Sequence, residues 1–300
     1  MKDPNFFIVG APKCGTTALH HYLSDHPQVF LPWVKEPHYF CTDIPGFPRI
    51  QSPRQYRKLF KGASKSHIAV GEASVFYLYS QAAVPSILQT YPDARFVVMV
   101  RNPVEMAHSR HSQYLYGCHE SEPSFEVAWN LQTERAQGRQ VPCYCPCPEV
   151  LQYAQVCMLG QQVERLMGIV PRERLLIVNF EEFKRDTREV YVRVLDFLGV
   201  ADDGRMDFPP VNVNRKRASP MLTKLLMHPP FPLNVLKKSL KSWFGLYDTT
   251  AMAWLYNKLL IQAPREQMSA KLSAEIASYF AEDQLKLKRL MEPAFSQRAA

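Results

Sequence analysis

The chain has 300 residues, 46% of them hydrophobic, and carries a net charge of +8. This composition excludes global disorder, and the absence of any run of about 18 apolar residues excludes a membrane-spanning helix. The charge favours anionic ligands, whereas basic residues dispersed along the chain argue against a nucleic-acid partner.

The first predicted strand begins about five residues from Met1, which leaves no room for a signal peptide in this chain. Seven cysteines are an odd number in a long chain without an export signal, so we expect reduced thiols. Together these features predict a cytoplasmic protein.

Short apolar runs predict the strands of a central sheet. They lie at 5–9, 68–71, 95–100 and 174–179. Each run is followed by helical sequence, which is typical of a parallel sheet covered on both faces. The expected fold is therefore α/β, with three layers around a central parallel sheet.

Helices are predicted between and after these strands, at 16–24, 124–137, 149–168, 187–198 and 269–291. Asn102 followed by Pro103 predicts the start of another helix, since Asn caps helices and Pro suits their first position. Proline-rich residues 209–236 predict loop with short helical pieces. We expect one domain over 1–300, with a variable helical and loop subregion at about 205–265.

The loop after the first strand, GAPKCGTT from residue 10, approaches a nucleotide-binding P-loop. Gly10, Gly15 and Thr17 fit the pattern G-x-x-x-x-G-K-[ST], but Thr16 takes the place of the lysine and Lys13 lies inside the loop. The loop offers backbone N–H groups, a helix N-terminus, one cation and two hydroxyls. This set of groups suits a single 5′-phosphate better than a metal-bound triphosphate. The alternative is a plain glycine turn between strand and helix.

Three further segments follow this loop in order: KEPHYF at 35–40, GEASVFYLY at 71–79 and VVMVRNPVEMAHSR at 97–110. Together the four segments resemble the sulfotransferases that use 3′-phosphoadenosine 5′-phosphosulfate (PAPS). The likeness is greatest to the branch that contains the heparan sulfate sulfotransferases and their bacterial relatives. It covers residues 5–200 well and the C-terminal third weakly.

The resemblance implies a P-loop NTPase-like sulfotransferase fold, PAPS as donor, 3′-phosphoadenosine 5′-phosphate (PAP) as product, and no metal. It implies in-line transfer to a hydroxyl of a carbohydrate or another metabolite. Glu36 takes the role of general base, Lys13 that of electrostatic stabiliser, and His38 is a second candidate base. The implied cofactor-binding residues are Lys13, Cys14, Gly15, Thr16, Thr17, Arg101, Ser109, Arg215 and Lys216.

Physical reasoning on single residues leaves some alternatives open. Pro37 predicts an extended backbone at Glu36, because the residue before proline avoids the helical region. Arg215 and Lys216 belong to a basic run that could instead be a solvated surface. Cysteines at 143, 145 and 147 could be apolar or substrate-loop thiols, a disulfide or a zinc site.

Two other functions compete with sulfuryl transfer. A P-loop kinase would need a lysine at Thr16 and a metal-holding acid. A non-catalytic binder of sulfated glycans would keep the fold, but the presence of Lys13, Glu36 and Arg101 together favours the enzyme.

Overall fold

The computed structural model describes residues 2–44, 46, 49–145, 147–211, 215–217, 260–262 and 267–292. A five-stranded parallel sheet lies at its centre, in the order β2-β3-β1-β4-β5. The strands are β1 (Phe6–Gly10), β2 (Val29–Phe30), β3 (Ala69–Ala73), β4 (Arg95–Val100) and β5 (Leu175–Asn179). All four predicted strands are confirmed; β2 was not predicted.

Every residue of β1 and β3 is buried. Because successive side chains of a strand point to opposite faces, both faces of the sheet must be covered, which confirms the three-layer α/β fold. Phe6 pairs with Gly71 of β3 and with Arg95 of β4, so β1 is the middle strand.

Helices connect and flank the strands. They are α1 (Thr16–Ser24), α2 (Pro53–Lys58), α3 (Ala83–Thr90), α4 (Pro103–Gly117), α5 (Phe125–Asn130), α6 (Gln132–Ala136), α7 (Tyr153–Cys157), α8 (Leu159–Met167), α9 (Phe180–Arg185), α10 (Thr187–Leu198), α11 (Ala270–Tyr279) and α12 (Ala281–Met291). The predicted bounds of α1 and α10 are confirmed, and Gly199, at φ 72°, ends α10 in the left-handed region.

Three predicted helices are interrupted. The stretch 124–137 forms α5 and α6, and 269–291 forms α11 and α12. The stretch 149–168 divides into a 3₁₀ turn, α7 and α8, because Asp283 of α12 accepts hydrogen bonds from Gly160 N at 2.8 Å and Gln161 N at 2.9 Å. This contact between distant parts of the chain caps a new helix start, which local sequence does not reveal.

Most of the predicted loop 209–236, and of the subregion 205–265, lies outside the described residues. Two short strands of this part are described, β6 (Arg215–Arg217) and β7 (Leu260–Gln262), which pair in antiparallel fashion and were not predicted. In the described ranges no helix has the length and apolar character to cross a membrane. The single domain and the cytoplasmic location stay predictions.

Candidate active site

The carboxyl ends of β1, β3 and β4 meet at one edge of the sheet, where open α/β sheets bind ligands. A cleft of about 380 Å³ opens at this edge. Most of the predicted site residues line it: Lys13, Gly15, Thr16, Thr17, Glu36, Arg101 and Ser109. Segments far apart in the sequence are thus brought together as the motifs predicted.

The loop between β1 and α1 forms one wall. Lys13 and Gly15 have positive φ, at 65° and 89°. At Gly15 a Cβ atom would lie only 2.8 Å from Cδ2 of Phe180, so both conformation and space favour glycine. Helix α1 starts at Thr16, and the first N–H groups of a helix have no partner within it, so they are available to an anion.

Cys14 belongs to this loop but its side chain does not line the cleft. The thiol is completely buried, and burial raises the pKa of Cys14 above its ordinary value. Its Sγ lies 3.9 Å from Sδ of Met106, inside the core. Only the backbone of Cys14 can therefore serve a ligand in the cleft.

Arg101 follows β4 directly and is held from several sides. Its Nη1 donates to the carbonyl of Lys13 at 3.2 Å, and its guanidinium lies over the ring of Phe180 at 4.6 Å. It also forms ion pairs with Glu105 and, at 3.9 Å, with Glu181. The cation is thereby fixed beside the loop between β1 and α1.

Ser109 is buried on α4, about two turns after the helix begins. The start of α4 is set by Asn102, whose Oδ1 accepts a hydrogen bond from Val104 N at 2.9 Å, and the predicted cap is confirmed. Because the cap fixes the helix relative to β4, Arg101 and Ser109 line the same cleft.

Glu36 is anchored to the end of β3. Its N–H donates to the carbonyl of Ala73 at 3.0 Å, and its Oε2 accepts from Val75 N at 2.9 Å. Lys35 Nζ pairs with its Oε1. The predicted extended backbone is wrong, since Glu36 has φ 62°. The hydrogen bonds to β3 outweigh the local preference that Pro37 imposes.

His38 lies behind Glu36, with its Nε2 atom 3.2 Å from Oε2 of Glu36. The side chain is buried, and burial lowers the pKa of His38 to about 4. A neutral imidazole at pH 7 can donate its Nε2–H to the carboxylate, which orients Glu36. His38 does not line the cleft, so its role as a base stays a prediction.

Glu72, in the GEASVFYLY segment, is a buried carboxylate to which the sequence analysis assigned no role. Its carboxylate accepts hydrogen bonds from Tyr56 at 2.7 Å, Tyr77 at 3.0 Å and Ser74 at 2.5 Å. Burial raises the pKa of Glu72 to about 7. Ser74 Oγ also accepts from His38 N at 3.0 Å, so the network ties β3 to the Glu36 loop.

Comparison with known proteins agrees with this geometry. A family model described as "Sulfotransferase domain" matches residues 3–224. The chain belongs to the sulfotransferase family. It is 27% identical to a sulfotransferase of known crystal structure from Alicyclobacillus acidocaldarius, with a TM-score of 0.71 and 98% of each chain covered.

Two curated relatives of this sulfotransferase are named for carbohydrate substrates. Heparan sulfate glucosamine 3-O-sulfotransferase 6 from Mus musculus is 29% identical over 199 residues, which cover 66% of this chain and 52% of the relative. Carbohydrate sulfotransferase 15 from Homo sapiens is 31% identical over 154 residues, which cover 38% of this chain and 27% of the relative. The chain thus spans only about a quarter to a half of the length of these relatives.

Several side chains of this sulfotransferase line the cleft without having been predicted, among them Lys35, Gln113, Tyr116 and Phe180. Lys35 lies within the KEPHYF segment, next to Glu36, and that position could have revealed it. Gln113 lies four residues after Ser109 and Tyr116 seven, so helical spacing places all three on one side of α4. Phe180 directly follows the strand predicted at 174–179, but its contacts with the loop could not be predicted, because they depend on the end of β5 meeting that loop.

Arg215 and Lys216 of this sulfotransferase belong to β6, whose backbone approaches α4. Contacts of their side chains with a ligand stay a prediction.

The cysteines of this sulfotransferase are all free thiols, so the disulfide alternative for Cys143, Cys145 and Cys147 is wrong. Cys143 is exposed, Cys145 half-buried and Cys147 buried. Among the residues that the structure describes, no group of three or more His, Cys, Asp or Glu side chains is arranged to hold a metal ion.

Proposed function

We propose that this sulfotransferase moves a sulfuryl group from PAPS to an acceptor hydroxyl, releasing PAP. The observation that carries this proposal is that one cleft is lined by two sets of cationic and hydroxyl groups suited to phosphate, together with a carboxylate. Family membership supports the reaction class. The carbohydrate substrates in the names of the curated relatives support a carbohydrate acceptor.

The two sets match the two separated phosphate-bearing positions of PAPS. Lys13, Thr16 and Thr17 with the N-terminus of α1 suit the 5′-phosphosulfate. Arg101 and Ser109 suit the 3′-phosphate, since a guanidinium forms strong charge-assisted hydrogen bonds to phosphate. PAPS, when bound, supplies the sulfuryl group.

Transfer requires that the acceptor O–H lose its proton as its oxygen bonds to sulfur and the bond from sulfur to the bridging phosphate oxygen breaks. We assign the removal of this proton to Glu36, which lines the cleft and whose N–H donates to the carbonyl of Ala73 at the end of β3. Lys13 is placed to stabilise the negative charge that develops on the bridging oxygen. His38 and Lys35 hold the Glu36 carboxylate in position.

Calorimetric titration with PAP, ADP and ATP, with and without Mg²⁺, tests the donor. We expect PAP to bind far more tightly than ADP and independently of Mg²⁺, because only PAP uses both sets of groups. Equal affinities for PAP and ADP would contradict the two-phosphate assignment. ATP binding that requires Mg²⁺ would favour the kinase alternative.

The variant Glu36→Gln tests the base. The amide cannot take the acceptor proton, so sulfate transfer from labelled PAPS should drop about 10²–10⁴-fold, while PAP affinity stays within about threefold. Glu164→Gln serves as a control, because Glu164 lies on α8 in a surface ion pair with Lys286. Near-normal turnover of Glu36→Gln would move the base elsewhere, with His38 the first residue to examine.

A further inference from the structure

Glu72 is a carboxylate in the middle of the sheet with no cation beside it. It lies in β3 opposite Phe7 of β1, and its side chain is fully buried. No Lys, Arg or His of the described ranges forms an ion pair with it. Burial of an ionisable group costs free energy that only good hydrogen bonds offset. The reason for a carboxylate at this position must therefore lie in its hydrogen bonds.

Three hydroxyl groups converge on the Glu72 carboxylate. Ser74 donates to Oε1 at 2.5 Å, whereas Tyr56 at 2.7 Å and Tyr77 at 3.0 Å donate to Oε2. Ser74 and Tyr77 follow Glu72 closely in the chain, but Tyr56 comes from α2. The carboxylate thus gathers hydroxyls from two separate segments into one cluster.

Two of these hydroxyls accept hydrogen bonds from the backbone of segment 36–40, which carries the proposed base. His38 N donates to Ser74 Oγ at 3.0 Å, and Phe40 N donates to Tyr77 Oη at 3.4 Å. A hydroxyl has one hydrogen, so an oxygen that accepts from a backbone N–H directs its own hydrogen to another acceptor. An ionised carboxylate only accepts, and it therefore fixes both hydroxyls in the orientation that the backbone needs.

The hydroxyl of Tyr56 differs from the other two. Among the described residues, its oxygen bonds only to Glu72. The ring of Tyr56 reaches segment 36–40 by stacking on Tyr39, with the ring centroids 4.3 Å apart. Loss of this hydroxyl would therefore remove a donor to the carboxylate without removing an acceptor from the backbone of the segment.

Segment 36–40 has a backbone conformation that must be held by its surroundings. Glu36 and His38 have φ 62° and 50°, and such conformations cost free energy in residues other than glycine. The position of the Glu36 carboxylate depends on this segment, because Nε2 of His38 lies 3.2 Å from its Oε2. A shift of the His38 backbone would therefore move the carboxylate that lines the cleft.

We propose that Glu72 is a positioning residue for sulfuryl transfer, which holds Ser74 and Tyr77 as backbone acceptors and thereby sets the place of Glu36 in the cleft. The inference rests on the proposed function, because Glu72 acts through the base. Glu72 is not among the residues that line the cleft, so it contacts neither donor nor acceptor.

Three variants of the full chain separate positioning from stability. Glu72→Gln keeps the size of the side chain but puts an N–H₂ donor where a hydroxyl hydrogen points, so a hydroxyl must turn. Ser74→Ala removes the acceptor of His38 N, whereas Tyr56→Phe removes only a donor to Glu72. Asp283→Asn is the matched control, since it changes another buried carboxylate to an amide outside the cleft.

Turnover is measured as release of PAP from labelled PAPS, with de-O-sulfated heparan sulfate as an acceptor probe and with water alone. The assays are run at pH 8.5, above the pKa of about 7 of Glu72, so that the wild type carries the ionised carboxylate. Calorimetry gives the PAP affinity, and urea denaturation gives the free energy of unfolding of the same samples.

We expect Glu72→Gln and Ser74→Ala to lower kcat about 10–100-fold, because misplacement of a reacting group by about 1 Å has effects of this size. KM for PAPS and PAP affinity should stay within about threefold of the wild type, since the groups assigned to the phosphates lie outside the cluster. Tyr56→Phe and Asp283→Asn should lose stability but keep kcat within about threefold.

The double variant Glu36→Gln, Glu72→Gln tests whether Glu72 acts through the base. If it does, the double variant should turn over PAPS as slowly as Glu36→Gln alone, within about twofold, because the base that Glu72 positions is already absent. Losses that multiply in the double variant would overturn the proposal, since they would show an effect independent of Glu36.

Equal losses of kcat in Ser74→Ala and Tyr56→Phe would also overturn it, because they would follow the stability of the cluster and not the backbone contacts. Normal kcat in Glu72→Gln, together with a large loss in Glu36→Gln, would refute this inference alone. Normal turnover of Glu36→Gln, or no release of PAP from PAPS by the wild type, would refute the proposed function instead.

Discussion

The buried carboxyl of Glu72 makes stability depend on pH in a direction opposite to that of most acids. In the unfolded chain this carboxyl should titrate near the ordinary value of 4.5, whereas burial raises its pKa to about 7 in the folded protein. The folded state therefore holds the proton more tightly. The resulting stabilisation is fully present below pH 4.5 and is lost as pH rises to about 7.

The magnitude follows from the shift between the two states. About 1.36 kcal/mol corresponds to each pKa unit, so the rise from 4.5 to about 7 corresponds to roughly 3 kcal/mol of unfolding free energy. Hydrogen bonds from Ser74, Tyr56 and Tyr77 act against burial and lower the pKa of Glu72. Tyr56→Phe should therefore raise the pKa further and extend the loss of stability to higher pH.

The assay compares wild type with Glu72→Gln by urea denaturation from pH 4.5 to pH 8.5. The amide does not titrate, so the difference between the two proteins isolates Glu72 from all other groups. We expect the wild type to lose stability relative to the variant across this range, by about 3 kcal/mol at most. A difference that stays constant with pH, or that changes in favour of the wild type as pH rises, would refute the reasoning.

Three further predictions concern the cleft. Arg101→Ala should weaken PAP binding by about 1.5–3 kcal/mol and leave the affinity for an analogue without the 3′-phosphate unchanged. Equal losses of affinity for both ligands in calorimetry would contradict the role of Arg101 at the 3′-phosphate. Glu105→Gln should tighten PAP binding by up to about 1 kcal/mol, because it removes a carboxylate that competes with the ligand for Arg101. Weaker PAP binding by this variant would contradict the competition. Gly15→Ala should destabilise the fold by about 1–2 kcal/mol in urea denaturation and weaken PAP binding, because φ at this position is 89° and the new Cβ displaces Phe180. Unchanged stability would show that the loop relaxes around the methyl group.

The sequence was sufficient to predict the features that depend only on neighbouring residues. The apolar runs of β1, β3, β4 and β5 and the Asn102 cap of α4 depend on neighbouring residues, and the structure confirms them. The order of motifs then placed Lys13, Arg101 and Ser109 at one sheet edge, because parallel strands share that edge.

Features that depend on contacts between distant segments were missed or wrong. The backbone of Glu36 follows the end of β3 instead of the preference before Pro37, and α8 begins where Asp283 caps it. The burial of Glu72 could not be predicted, since it depends on Tyr56 of α2 as well as on Tyr77 of its own segment.

The burial of Cys14 has a practical consequence for thiol chemistry. Alkylating reagents attack thiolates that they can reach, and the Cys14 side chain is both enclosed and kept protonated by its raised pKa. Cys143, by contrast, is exposed at the surface. A maleimide dye should therefore react with Cys143 and spare Cys14, which offers a fluorescent reporter on a folded protein without replacing any residue.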